Sequence, residues 1–361
     1  MTTATTAPKS LLTMPSDLEA PNAITFMLYG QPGCYKTTTA LSAPGTVCID
    51  FDNGMHRVEP QYRRPSLQVT NYQKVLDLLN TGELDPFDTI IIDTAGKLVD
   101  RIAEHVIKLN PKNGAPGGGP SLQGWGAVRS EFGRLVKELK LRNKSLGLVA
   151  HESEEKNGDE TIKRPDIAGS ARKDIVKELD CMGYMERRGT QSIISFTPTD
   201  KFYAKNSLGL DDSVMVPELK DNMPNNFLAS YLFKASAAKL EKQNALRKEY
   251  EQLVFGIDAL IASLKTVEEV NAFYAKIPDQ AVIWDSTHYT KNALLKKTKE
   301  LGIEWDGAAK VFKVKAKDTA AKAAGSSDGA ADQVAPASTT AAPSGDDGKK
   351  AEINDDAFSQ Q

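Results

Sequence analysis

The run Gly30-Gln31-Pro32-Gly33-Cys34-Tyr35-Lys36-Thr37 has the side chains and spacing needed to hold a chain of phosphates. Its glycines let backbone N–H groups close around phosphate oxygens, and a helix starting behind them adds a favourable dipole. Lys36 is placed to reach the outer phosphates and the Thr37 hydroxyl to hold Mg²⁺, with Thr38 the last residue of the nucleotide-binding stretch. Tyr35 stands where the usual pattern has its last glycine, the position that starts the helix close to the phosphate. The plain alternative is a Gly-rich turn followed by a chance Lys-Thr. A strand pattern before the loop and a helical pattern after it favour the phosphate.

Three further residues sit where apolar strands end. Asp93 closes Thr89-Ile90-Ile91-Ile92-Asp93, and in an open parallel sheet that end faces the ligand. It is a candidate to order Mg²⁺, or else a cap for the helix behind it. Asp52, at the end of Ile49-Asp50-Phe51-Asp52, is the candidate to orient a water molecule; its alternative is a solvated carboxylate in the turn Asp52-Asn53-Gly54. His151 follows Leu146-Gly147-Leu148-Val149-Ala150 and is a candidate sensor of a terminal phosphate, against an ordinary structural histidine.

The elements that position these residues alternate. Apolar runs at Ile24–Tyr29, Thr46–Phe51, Thr89–Ile92 and Leu146–Ala150 are separated by helical patterns at Thr37–Leu41, Gln73–Leu79, Leu98–Leu109 and Trp125–Arg142. That order predicts an α/β unit with a parallel central sheet and helices on both faces. Ser192–Thr197 and Lys201–Ala204 read as a terminal hairpin on the sheet. The division expected is an arm over 1–19, the α/β domain over 20–235, a small all-helical module over 236–317, and a disordered acidic tail over 318–361.

Composition narrows the field. The 361 residues carry 45 bases and 48 acids, but eight of the acids and three of the bases fall from Asp318 onward. The body is therefore mildly basic, with an acidic tail; the sequence pI of about 5.9 argues against a protein that passively coats DNA and leaves a local basic groove open. Three cysteines without a CxxC pair exclude a disulfide scaffold or zinc ribbon and fit a reducing cytoplasm. There is no run of about 18 apolar residues to cross a membrane and no secretory signal order at the start.

With the phosphate loop followed by strands ending in Asp52, Asp93 and His151, residues 22–215 resemble the RecA-like P-loop ATPase core. They resemble more closely the short phage RecA-like ATPases of the single-strand annealing and recombination class. The resemblance implies ATP and Mg²⁺ at Gly30–Thr38, with Thr37 and Asp93 on the metal, Asp52 as catalytic acid, where RecA carries Glu, and His151 as sensor. It implies two mobile DNA-binding loops, Asn110–Gly126 and Glu152–Gly169. Lys112, Trp125, Arg129, Lys163, Arg164, Arg172 and Lys173 are the candidates there for single-stranded DNA; for Trp125 a place in the core is the alternative.

Tyr203-Ala204-Lys205-Asn206 resembles the segment whose lysine reaches a neighbouring subunit's nucleotide. That implies a homo-oligomer with ATP between protomers and Lys205 acting in trans, against a solvated strand lysine. The end of the tail, Glu352–Gln361, resembles the tip by which bacterial single-strand binding proteins dock on partner enzymes; a solubilising tail is the plain reading. The function implied is DNA annealing or strand exchange. The competitors are a helicase-like motor or helicase loader, and a nucleotide-gated interaction protein with little hydrolysis.

Overall fold

A computed structural model describes residues 13–14, 18, 22–157, 160–168, 171–220, 223–279 and 282–315. β1 (Thr25–Gly30) is buried along its whole length. Phe26 and Leu28 enter one apolar core and Met27 and Tyr29 the other, so both faces of the strand are covered. Burial on both sides is why this segment reads as an unbroken apolar run. After β1 come α1 (Lys36–Ala40), β2 (Thr46–Asp50), β3 (Ser66–Gln68), α2 (Gln73–Thr81), β4 (Thr89–Asp93), α3 (Ala95–Leu109) and α4 (Leu122–Leu141). Then follow β5 (Ser145–Asn157), β6 (Glu160–Pro165), α5 (Ala171–Glu178), β7 (Cys181–Arg188), β8 (Gln191–Ser195), β9 (Lys205–Asn206) and β10 (Ser213–Met215).

The sheet runs β10-β8-β7-β1-β5-β4-β2-β3, parallel from β7 to β3. The apolar sides of α2, α3, α4 and α5 pack on the Met27 face; Ala40 of α1 and Leu228 and Leu232 pack on the Phe26 face. The expected α/β class with a parallel central sheet is what forms. The register brings Asp50 level with Asp93, Asp93 with Val149, and Gly30 with both His151 and Met185. The C-terminal ends of five strands thus line one edge.

The chain divides into Glu19–Asn244 and a second unit that contains residues 245–315, the division falling inside α6 (Lys234–Ser263) rather than before it. In the second unit α6 is followed by α7 (Val267–Ala275), α8 (Ser286–Glu300) and a hairpin of β11 (Ile303–Asp306) and β12 (Val311–Val314). Thr266 and Glu269 form a reciprocal capping box at the start of α7. Ile257, Val270, Phe273, Leu294, Ile303 and Phe312 make this unit's core.

Three expectations are corrected. The C-terminal module is not all-helical: β11 and β12 pair as a hairpin, with Ile303 and Phe312 buried in this unit's core and Val311, Lys313 and Val314 exposed. Glu152–Gly169 is not a mobile loop, because β5 continues past the sheet edge and pairs with β6 from Glu152↔Pro165 to Asn157↔Glu160. Ser192–Thr197 does lie in a hairpin, but its partner is β7; Lys201–Ala204 forms no strand, and the short β9 pairs with β7 instead. The tail, residues 318–361, and nearly all of the arm, 1–19, lie outside the described residues. Among the described residues no helix is long and apolar enough to cross a membrane.

Candidate functional site

The loop from Gly30 to Thr37 lies between the ends of β5 and β7. Gly30 has φ 153°, and a Cβ there would collide with the backbone oxygen of Met185, so the close approach of β7 requires glycine. Gly33 also has a positive φ, 82°. Lys36 is buried, and its ammonium donates to the carbonyls of Gly30 at 2.9 Å and Gln31 at 2.6 Å. Burial lowers its pKa, against the raising influence of Cys34, Asp93 and Glu152. Buried Cys34 fixes the loop from beneath, its thiol 2.8 Å from the Gln31 carbonyl.

Tyr35 precedes α1 in the left-handed conformation, φ 62° and ψ 28°. That conformation is the reason for a glycine in the usual pattern, since an ordinary residue there costs about 1–2 kcal/mol. The Tyr35 ring is 58% exposed and faces the Arg187 guanidinium at 5.6 Å. A cleft of about 420 Å³ opens beside the loop, lined among others by Tyr35, Thr38, Thr39, Arg57, Tyr62 and Arg187. Asn225 donates to the Thr38 carbonyl at 2.8 Å and ties one wall of the cleft to α1.

Thr37 donates its hydroxyl proton to the Asp93 carboxylate at 2.6 Å. Asp93 is only 6% exposed, and burial raises its pKa; the bond from Thr37 and the charge of His151 oppose the rise, while Asp50 and Asp52 add to it. Two hard oxygen donors at this separation suit Mg²⁺, which binds through one or two protein oxygens plus phosphates and water. Among the described residues no group of three or more His, Cys, Asp or Glu is arranged to hold a metal.

The two carboxylates after β2 divide their work. Asp50 is buried and accepts from the backbone N–H groups of Asp52, Gly54 and Met55 at 2.9–3.1 Å, so it shapes the turn. Asp52 stays accessible, its side chain 25% exposed, with Lys97 at 3.8 Å and Arg57 at 3.9 Å. The backbone N–H groups of Phe51 and Asp52 both donate to the Asp93 carbonyl, which holds the end of β2 to the end of β4. His151 is exposed and level with Gly30 across β1 and β5. Lys36, Thr37, Asp93, Asp52 and His151 are thereby gathered at one sheet edge.

Lys205 is not at that edge. It pairs with Met182 near the start of β7, and its ammonium donates to the carbonyls of Val176 and Lys177 at 3.4 and 3.1 Å, closing the end of α5. Of the DNA candidates, Lys163 is bound to Glu152 at 3.1 Å, and Arg164 and Arg172 converge on Glu155. Arg129 reaches Asp174 on α5 at 3.4 Å, Lys112 and Lys173 are exposed, and Trp125 packs half-buried on the core.

Sequence reasoning misses Glu152, which also accepts from the Tyr184 hydroxyl at 2.9 Å and lies close enough to influence Cys34 and Lys36. Nothing in the polar run His151-Glu152-Ser153-Glu154-Glu155 singles it out. It misses Arg187 too, because β7 does not stand out as a strand in the sequence. A family model described as AAA domain matches residues 22–208, just over half of the chain. None of the curated proteins matches it.

Proposed function

We infer the function from one premise: the chain belongs to the AAA domain family, and residues 22–208 are its P-loop ATPase domain. On our reading the protein is a RecA-like Mg²⁺-ATPase that binds single-stranded DNA and promotes annealing or strand exchange. The observation that carries the hydrolytic part is the 2.6 Å contact between Thr37 and Asp93 beside the buried Lys36. The order β1-β5-β4, which seats His151 between the loop strand and the Asp93 strand, supports the RecA-like part.

Lys36 exchanges its loop carbonyls for the β- and γ-phosphates, and the loop N–H groups cradle them. Thr37 and Asp93 hold Mg²⁺, which when bound neutralises charge on those phosphates. Asp52 orients the attacking water and takes up its proton, and His151 hydrogen-bonds the terminal phosphate and registers its loss. The protein's part is thus positioning and electrostatics, with no covalent intermediate on the chain. DNA is assigned to the face of α4, α5 and the β5–β6 ribbon that carries Arg129, Arg164, Arg172 and Lys173, with Lys112, Trp125 and Lys163 at its margins. ATP shared between protomers of a homo-oligomer remains part of this reading, although Lys205 holds α5 in the single chain.

A nucleotide-gated binding protein with little hydrolysis is the second reading, favoured by the pairing of Asp52 with both Arg57 and Lys97. ATP turnover with and without single-stranded DNA, beside Lys36→Ala, separates the two. DNA-stimulated turnover that disappears in Lys36→Ala is the expected result. Normal ATP binding with a flat, near-zero rate would overturn the roles of Asp52 and His151 and leave the gated reading.

A further inference from the structure

We propose that Arg187 contacts the phosphates of the bound nucleotide, as a cation supplied by the same chain, with Tyr35 as its positioning residue. This rests on the reading that Gly30–Thr37 binds those phosphates. β7 runs parallel to β1 with Met185 opposite Gly30. The Met185 carbonyl fills the space a Gly30 side chain would need and lies 3.6 Å from the Cys34 sulfur. The end of β7 is therefore pressed against the loop, and Arg187 follows two residues later. Its guanidinium lies 5.6 Å from the centre of the Tyr35 ring, on the residue immediately before Lys36. Both side chains line one cleft with Thr38 and Thr39.

The charges near Arg187 are arranged unevenly. Its neighbour Arg188 is paired with Glu186 at 2.5 Å. Arg187, among the described residues, is in no ion pair and donates only to the Thr190 carbonyl, at 3.3 Å. A guanidinium keeps its full charge and a fork of N–H donors matched to phosphate oxygens. Glu59 and Glu218 line the same cleft, but neither is within ion-pair distance of Arg187. The Tyr35 ring supplies what a glycine at that position would lack, a face on which the guanidinium rests beside the loop. Tyr35 holds a left-handed backbone at the start of α1, and its ring lines the cleft.

The test measures affinities of the full chain by titration calorimetry with Mg²⁺ at fixed salt. The ligands are ATP, AMP and inorganic tripolyphosphate; the variants are Arg187→Ala, Arg187→Lys, Tyr35→Gly and Lys36→Ala. A charge-assisted bond to phosphate is worth about a factor of ten or more in affinity, so Arg187→Ala loses about tenfold for ATP and tripolyphosphate and little for AMP. Arg187→Lys recovers part of that loss. Tyr35→Gly loses less than Arg187→Ala, and the double variant combining Tyr35→Gly with Arg187→Ala is no weaker than Arg187→Ala alone. Equal losses for AMP and ATP, or none for either, overturn the phosphate contact, and additive losses in the double variant overturn the positioning role. Tripolyphosphate binding that ignores Lys36→Ala removes the loop reading and this proposal together; Lys36-dependent binding that ignores Arg187→Ala removes this proposal alone.

Discussion

Asp93→Asn shows whether the fold is weakened to keep the site. The carboxylate is almost fully buried, and burial leads the influences that raise its pKa, with Asp50 and Asp52 nearby. A carboxyl whose folded pKa lies above its unfolded value is one whose charge the fold disfavours, so near pH 7 ionised Asp93 subtracts from stability. Desolvating an ion costs about several kcal/mol in real proteins. The bond from Thr37, being to a charged group, returns about 1.5–3 kcal/mol. Asparagine keeps an oxygen for Thr37, at about 1 kcal/mol for a neutral bond, and removes the charge. The net expected is a gain of about 1–2 kcal/mol, hence a Tm about 2–8 °C higher for a unit of this size. Thermal unfolding of the full chain in EDTA at pH 7 reads it. With Mg²⁺ and ATP at about 100 times Kd the wild type gains about 2.7 kcal/mol, and in Asp93→Asn the magnesium-dependent part of that gain is lost. A Tm lowered in EDTA, or an undiminished magnesium-dependent shift, would refute the reasoning.

Two other predictions concern the scaffold. A Cβ on Gly147, in the middle of the sheet portion of β5, would collide with Ile91 and Phe26 on the strands to either side. Gly147→Ala is therefore expected to cost about 1–3 kcal/mol by overpacking, measured by urea unfolding; an unchanged midpoint would show that the strands spread at no cost. Arg134 grips Glu131 with bonds of 3.0 and 2.6 Å and holds its carboxyl below the usual range. The stability from this depressed pKa is present above the unfolded value of about 4.3 and lost as pH falls through the folded one. Glu131→Gln is thus expected to lower Tm near pH 7, by an amount worth up to about 1 kcal/mol, with the difference fading below about pH 4. A difference that persists in acid would count against the charged pair as its source.

Elements with two buried faces are legible in the sequence, because they are apolar throughout and end abruptly in a polar residue. That pattern alone assigns Asp93 to a strand end and puts Lys36 and Thr37 just beyond one; His151 it marks as the point where β5 leaves the central sheet, although the strand itself runs on to Asn157. The β5–β6 ribbon is not legible, since Glu152-Ser153-Glu154-Glu155-Lys156 has no apolar face and its pairing depends on cross-strand charge and backbone bonds. The β11–β12 hairpin is hidden behind the lysine-rich pattern of α8, and its four-residue strands are too short to stand out. The roles of Asp50 and Lys205 are out of reach for another reason: both hold backbone groups that only the folded chain brings to them.

If DNA binds as proposed, the pairing of the ribbon's charges decides which of them it can use. Lys163 is held from every side: its ammonium by Glu152, its carbonyl by the Tyr29 hydroxyl at 3.2 Å, and its N–H by the Lys201 carbonyl at 2.8 Å. Glu152 is 12% exposed, so moving Lys163 to a phosphate would leave a nearly buried carboxylate without its cation, a costly exchange. Arg129 and Asp174 are each more than 40% exposed, and an ion pair in water is worth about 0–1 kcal/mol. Arg129 can therefore trade its carboxylate for a phosphate at little cost, and Lys112 and Lys173, both exposed, need no such trade. On the DNA-binding reading proposed above, the cations freed at least cost thus come from α4, α5 and the turn after α3, while Arg164 of the ribbon would have to leave Glu155. Lys163 instead joins β6 to Tyr29 at the start of the phosphate loop and to Glu152 beside His151.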